Sequence, residues 1–214
     1  MKTKTKALAM ALCAVLLVVT TVFATMAYLT STDEVVNTFT VGKVSIKLDE
    51  TDVNLYGVKD GETRVKSNEY KLIPGHEYVK DPTVHVEAGS EESYIRMIVT
   101  ITDFADVKAA FGDDFLPQNF VKGWNGSIWE TTGAVVEKEN TATYEFRYHE
   151  KVSTVGGQAR DLEELFKSIV VPDSVKNGDL AKLEELEINI VAHAIQADGF
   201  KDADDAWEAF DKQN

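Results

Sequence analysis

At 214 residues the chain is long enough to bury a sizeable core, and 36 acidic against 22 basic side chains give it a net charge of −14. A surface this acidic repels phosphate backbones and anionic lipid, which argues against nucleic acid as a partner. The single cysteine, Cys13, lies in the N-terminal apolar run, so no disulfide framework holds the remainder together.

That apolar run opens the chain. Lys2, Lys4 and Lys6 precede an almost unbroken apolar stretch over residues 7–24, and Thr25-Met26-Ala27 follows. This is the three-part plan of a secretory signal peptide, with Thr25 and Ala27 as the small residues before the cut and Tyr28 as the new N-terminus. The expected division is residues 1–27 as leader, residues 28–41 as a freed N-terminal segment and residues 42–214 as one β domain. The membrane is then met only through the leader before cleavage. An uncleaved anchor is the alternative, because the run approaches the roughly 18 to 20 residues of a membrane span.

After Gly42 the alternation is strict, with Val44, Ile46 and Leu48 opposite Lys43, Ser45 and Lys47, the pattern of a half-buried strand. Upstream, Val35, Phe39 and Val41 have the opposite parity, so the earlier piece need not continue the same ladder. Residues 49–69 read as a loop or hairpin, and Pro74-Gly75 as a turn. Residues 83–86 form a short strand, and residues 93–102 give the strongest strand signal, with Ile95, Met97, Val99 and Ile101 on one face. A compact helix is expected over residues 103–112, with Phe104, Val107 and Phe111 inward. Asn125-Gly126 predicts a hairpin between Trp124 and Trp129. Residues 143–152 alternate again, residues 161–166 predict a short helix, and residues 187–197 a closing strand. A terminal helix over residues 202–212 packs Trp207 and Phe210. About eight strands with short helices in the connections indicate a mainly β fold, a β-sandwich of jelly-roll type.

Catalytic chemistry is not visible. His76-Glu77 and His149-Glu150 both lack the second histidine of a zinc hydrolase helix, and His85 and His193 stand alone. No serine sits in a nucleophile-elbow context, and no glycine pair forms a phosphate-binding loop. Asp198, Asp202, Asp204 and Asp205 make an acidic cluster without calcium-loop spacing, read as a solvated helix start. No catalytic, cofactor-binding or metal residue is therefore assigned. Alternating aromatics such as Tyr144, Phe146 and Tyr148 read as core.

Ala24-Thr25-Met26-Ala27-Tyr28-Leu29-Thr30 and then Val36-Asn37-Thr38-Phe39-Thr40-Val41-Gly42-Lys43-Val44 resemble the TasA/camelysin family of secreted Gram-positive proteins. Pro74-Gly75, Lys80-Asp81-Pro82-Thr83-Val84 and Ser93-Tyr94-Ile95 are similar to a second signature of that family, and residues 194–200 to its closing strand. The resemblance implies a jelly-roll subunit exported to the cell surface or extracellular matrix, trimmed by a SipW-type signal peptidase and assembled into biofilm fibres. It implies that residues 28–39 insert as a strand into the next copy, through Tyr28, Leu29, Val35, Val36 and Phe39. Other copies of the chain, and possible accessory matrix proteins, are the implied partners. The other readings are a camelysin-like metallopeptidase, a label resting on no motif present here, and a monomeric cell-surface binding module presenting Trp124 and Trp129. Residues 28–40 folding back onto their own domain is the alternative to strand donation.

Overall fold

A computed structural model describes residues 42–113, 115–183 and 185–213, all within the unit Gly42–Asn214. The leader, the cleavage residues Thr25, Ala27 and Tyr28, and the expected donor contacts Leu29, Val35, Val36 and Phe39 lie outside the described residues.

The chain is mainly β, with antiparallel pairing throughout. One sheet takes β1 (Ile46–Val53), β2 (Lys59–Val65), β4 (Thr83–Val86) and β9 (Arg160–Asp161) in the order β2-β1-β4-β9. Another takes β5 (Ser93–Ile101), β7 (Trp129–Lys138), β8 (Thr141–Tyr148) and β11 (Ile188–Gln196) in the order β11-β5-β8-β7. A small third sheet joins β3 (Glu77–Val79), β10 (Ser168–Val170) and β6 (Val121–Lys122). Residues of all three sheets meet in one buried cluster, among them Val84, Val86, Ile95, Met97, Val99, Tyr144, Phe146 and Tyr78.

The strands with the cleanest period-2 pattern supply the centre. In β5 the inward face is fully buried, and Arg96 on the other face is buried too. Of the helices α1 (Phe104–Phe111), α2 (Asn177–Leu180) and α3 (Ala203–Asp211), the last covers that other face. Its Trp207 and Phe210 rings lie 4.3 and 5.1 Å from the Arg96 guanidinium, and Asp211 pairs with both terminal nitrogens. Asp202 caps this helix, its Oδ1 accepting from Asp205 N–H at 3.1 Å, and Asp204 pairs with Arg147 at 2.5 Å. The acidic cluster is thus a helix start and a docking contact.

Helix α1 (Phe104–Phe111) forms where expected, but its N-terminus is capped from afar. Asp103 sits at φ 47° and makes no side-chain cap bond. Asn140 instead accepts from Phe104 N–H through its carbonyl at 2.9 Å and from Ala105 N–H through Oδ1 at 2.8 Å. Asn140 can do this because it closes the β7–β8 hairpin, where Glu139 and Asn140 have φ of 50° and 62°, the left-handed pair of a primed two-residue turn.

Three expectations are corrected and one pair of alternatives is resolved. The described residues hold eleven strands rather than eight, the additions being mostly two or three residues long. Of the loop and the hairpin expected over residues 49–69 the hairpin forms, since β1 runs on to Val53 and pairs with β2. Asn125-Gly126 does not join two paired strands. β6 pairs with β10, and the Asn125 carbonyl accepts from Ile128 and Trp129 N–H in a turn that leads into β7. Residues 161–166 are extended, because Leu162 N–H and Leu165 N–H bond to the carbonyls of Val84 and Pro82 at 2.9 and 3.0 Å. Those bonds, with Leu162, Leu165 and Phe166 buried, outweigh a weak helical preference.

Candidate functional site: an apolar groove beside an open strand edge

β11 pairs only with β5 among the described residues. The bonds flanking this pair, Thr102 N–H to Glu187 O at 3.0 Å and Ala197 N–H to Glu92 O at 2.8 Å, fall on odd residues of the β11 segment. By the alternation of an antiparallel ladder, the even residues Ile188, Ile190 and Ala192 point their N–H and C=O groups away from β5. Val191, with the opposite side-chain parity, is 51% exposed.

A groove of about 1320 Å³ runs along this edge. Ile188, Ile190 and Ala192 line it from β11, Val99 and Ile101 from β5, and Leu48 and Glu50 from β1, with residues 66–72 along its rim. Val107 and Phe111 of α1 enter it beside Phe115 and Phe120, whose rings stack at 4.6 Å. The lining is thus an apolar strip next to backbone that is unpaired among the described residues, the two features an added strand requires.

The groove and the start of the domain are at opposite ends of β5. Glu91 N–H donates to the Lys43 carbonyl at 2.9 Å, just before β5 begins, whereas the groove is lined by the last residues of β5. A nine-residue strand spans about 26 Å at roughly 3.3 Å per residue.

One wall of the groove is polar and buried. Lys80 Nζ lies 2.6 Å from Glu50 Oε2, with side chains only 9% and 7% exposed. Asn68 Nδ2 donates to Glu50 Oε1 and to the Thr51 carbonyl, both at 2.9 Å, while its Oδ1 accepts from Val53 N–H at 3.0 Å. The donors fix the carboxamide orientation, since only the oxygen can accept from Val53. Burial pushes the Tyr70 hydroxyl, in the same wall, well above its ordinary pKa, and the Glu50 charge adds to this.

The four histidines have separate partners. His76 Nε2 lies 2.8 Å from the Tyr56 carbonyl, His149 packs on Tyr148, and His193 Nδ1 accepts from Arg96 at 3.3 Å. His85 is held by two carboxylates, Nδ1 at 2.6 Å from Asp161 and Nε2 at 2.8 Å from Asp49. Burial opposes its charge, but those carboxylates raise its pKa above the ordinary value. Among the described residues no group of three or more His, Cys, Asp and Glu is placed to hold a metal ion, and no helix is long and apolar enough to cross a membrane. Trp129 is fully buried, its Nε1–H donating to the Glu163 carbonyl at 2.8 Å, and Trp124 is half-buried and donates to the Trp129 carbonyl at 3.0 Å. These rings belong to the core rather than to a presented binding loop.

Sequence reasoning missed Glu50, Asn68 and Lys80. A signal existed for one of them: Glu50 continues the parity of Ile46 and Leu48, so a carboxylate occupies an inward position of a strand. Comparison with protein-family models, with curated proteins and with solved structures gives no match.

Proposed function

We propose that this chain is a secreted structural subunit of extracellular matrix fibres, assembled head to tail by strand donation from its N-terminal segment. The observation that carries this is the apolar groove beside the outward-facing backbone of β11. An exposed strand edge next to apolar surface is costly in water and is satisfied when an extended segment adds to it. Residues 28–39 have the composition of such a segment, with Tyr28, Leu29, Val35, Val36 and Phe39 as its apolar contacts. In this reading the cut after Ala27, with Thr25 as the other small residue, frees the segment after export, and the sheets are the halves of a jelly roll.

Donated to a neighbour rather than folded back onto its own domain, the segment makes a head-to-tail contact. Such a contact is heterologous, and repeated without closure it builds a filament. The resemblance to the TasA/camelysin family points to the same assembly. The test is electron microscopy of the mature protein beside a variant lacking residues 28–39. Filaments are expected from the first and a folded monomer from the second. If the truncated protein makes the same filaments, strand donation is wrong.

A further inference from the structure

The triad in the groove wall, with Lys80 and Glu50 buried and Asn68 half-buried, has the parts of a self-crosslinking site: an amine, a carboxamide and a carboxylate bonded to both. We propose that Lys80 and Asn68 join through an intramolecular isopeptide bond, with Glu50 as the proton carrier. Three observations support it. The Lys80 and Glu50 side chains are almost fully withdrawn from solvent, where a nucleophilic amine escapes competition from water. The nucleophile and the leaving nitrogen rest on the two oxygens of one carboxylate, at 2.6 and 2.9 Å. The Asn68 carbonyl oxygen accepts from Val53 N–H at 3.0 Å, so a fixed donor already faces the atom that becomes the oxyanion.

The steps balance without any co-reactant. Lys80 ammonium gives one proton to the Glu50 carboxylate, leaving an amine and a carboxylic acid. Nζ shifts along the carboxylate from Oε2 towards the carboxamide, to the roughly 3 to 3.5 Å that attack requires, and adds to Asn68 Cγ. The new Nζ–Cγ bond forms while the carbonyl electron pair moves to Oδ1 under the Val53 N–H. Glu50 passes its proton to Nδ2, the Cγ–Nδ2 bond breaks, and ammonia leaves. The carbonyl reforms, and the second Nζ proton departs with ammonia as ammonium. The product is one secondary amide, and Glu50 ends as it began.

The bond closes a short loop, residues 68–80, against β1. That loop contains the rim residues Tyr70, Lys71 and Leu72, so the crosslink fixes one wall of the groove. The proposal concerns one chain only and stands whether or not fibres form.

Peptide mapping of the purified full chain tests it, independently of where the N-terminus lies. Trypsin should yield residues 67–71 joined to residues 72–96, uncut at Lys80, with a mass about 17 Da below the sum of the two peptides, the loss of one ammonia. Glu50→Gln keeps both reacting residues and should abolish the linked species. If that variant fails to fold, the wild-type map still decides the matter. Recovery of free 72–80 and 81–96 peptides, with Asn68 unmodified, from the folded wild-type protein overturns the proposal.

Discussion

Arg96 and Trp207 stack, the guanidinium carbon 4.3 Å from the indole centroid, and through this contact the C-terminal helix is fastened to the outer face of β5. Arg96 is 4% exposed and Trp207 2%, and Asp211 satisfies the far side of the guanidinium. Glu145 and His193 hold the guanidinium from the sheet at 3.5 and 3.3 Å, but the Asp211 pairing and the covering rings last only while α3 is docked. Removing the ring exposes a buried charge as well as deleting apolar area. Trp207→Ala is expected to destabilise the domain by about 3–5 kcal/mol and to make residues 203–213 an early site of proteolysis. Urea unfolding and limited digestion measure the two effects. A loss below about 1 kcal/mol would show that the helix is a passive appendage.

Asn140 serves two elements at once, closing the β7–β8 turn in a left-handed conformation and capping α1. Two substitutions separate these roles. Asn140→Gly keeps the backbone conformation and loses the Oδ1 bond to Ala105, a cost of about 0.5–1 kcal/mol for one hydrogen bond. Asn140→Ala loses the same bond and adds about 1 kcal/mol for an alanine at positive φ. Alanine should thus be clearly worse than glycine in chemical denaturation. Equal effects would mean that the cap, rather than the turn, sets the energy.

Where one element decides its own structure, the sequence is readable. β5, β11, α1 and α3 each carry a strong period of their own and lie within about two residues of their expected places, while β8 starts two residues earlier and ends four residues earlier than expected. Residues 161–166 failed because their backbone bonds go to β4, far away in the chain. β7 gave no clear signal because its register shifts between Thr131 and Val135 and much of it is exposed on both faces. The groove is assembled from Leu48, Val99, Phe111 and Ile190, residues with no local pattern in common. Only closure of the sheets brings them together. The Glu50–Asn68–Lys80 contact is hidden for the same reason, since the three residues come from three different segments.

Two histidines oppose each other in the pH dependence of stability. His85 has its pKa raised: burial works against the charge, but Asp161 and Asp49 on its two nitrogens outweigh it. Its contribution is complete below the unfolded value of about 6.5 and is lost as pH rises through the folded pKa. His193 has its pKa lowered by burial first and then by the Arg96 charge, only partly offset by Asp211 and Glu145. Its contribution is present above about pH 6.5 and is lost as pH falls through that range. Together they place a stability maximum near neutrality, within the range above about pH 5 where the carboxylates stay ionised. His85→Gln should flatten the alkaline side of the profile, and His193→Gln the acid side. Thermal melts from pH 5 to 8.5 (about 1.5 units below to about 2 units above the free histidine value) read both. A wild-type profile unchanged by either substitution would remove these histidines from the account.

Under the proposed strand donation, the outer edge of β11, unpaired among the described residues, allows assembly to be separated from folding by a single residue. Ala192 has its N–H on the side facing away from β5, by the parity of the flanking bonds. A proline there removes no bond of the β5–β11 ladder, because edge-facing positions are where strands tolerate proline. It does remove a donor from the row that an incoming strand must pair with, and its ring occupies the approach path. Ala192→Pro is therefore expected to fold with at most a modest loss of stability while filament formation is abolished or slowed at least tenfold, about 1.4 kcal/mol in the subunit contact. Ala192→Ser, which keeps the N–H and is nearly the same size, should assemble like the wild type. Light scattering and electron microscopy report assembly, and circular dichroism reports the fold. Normal filaments from a folded Ala192→Pro protein would mean that the donated strand, if there is one, does not pair with β11.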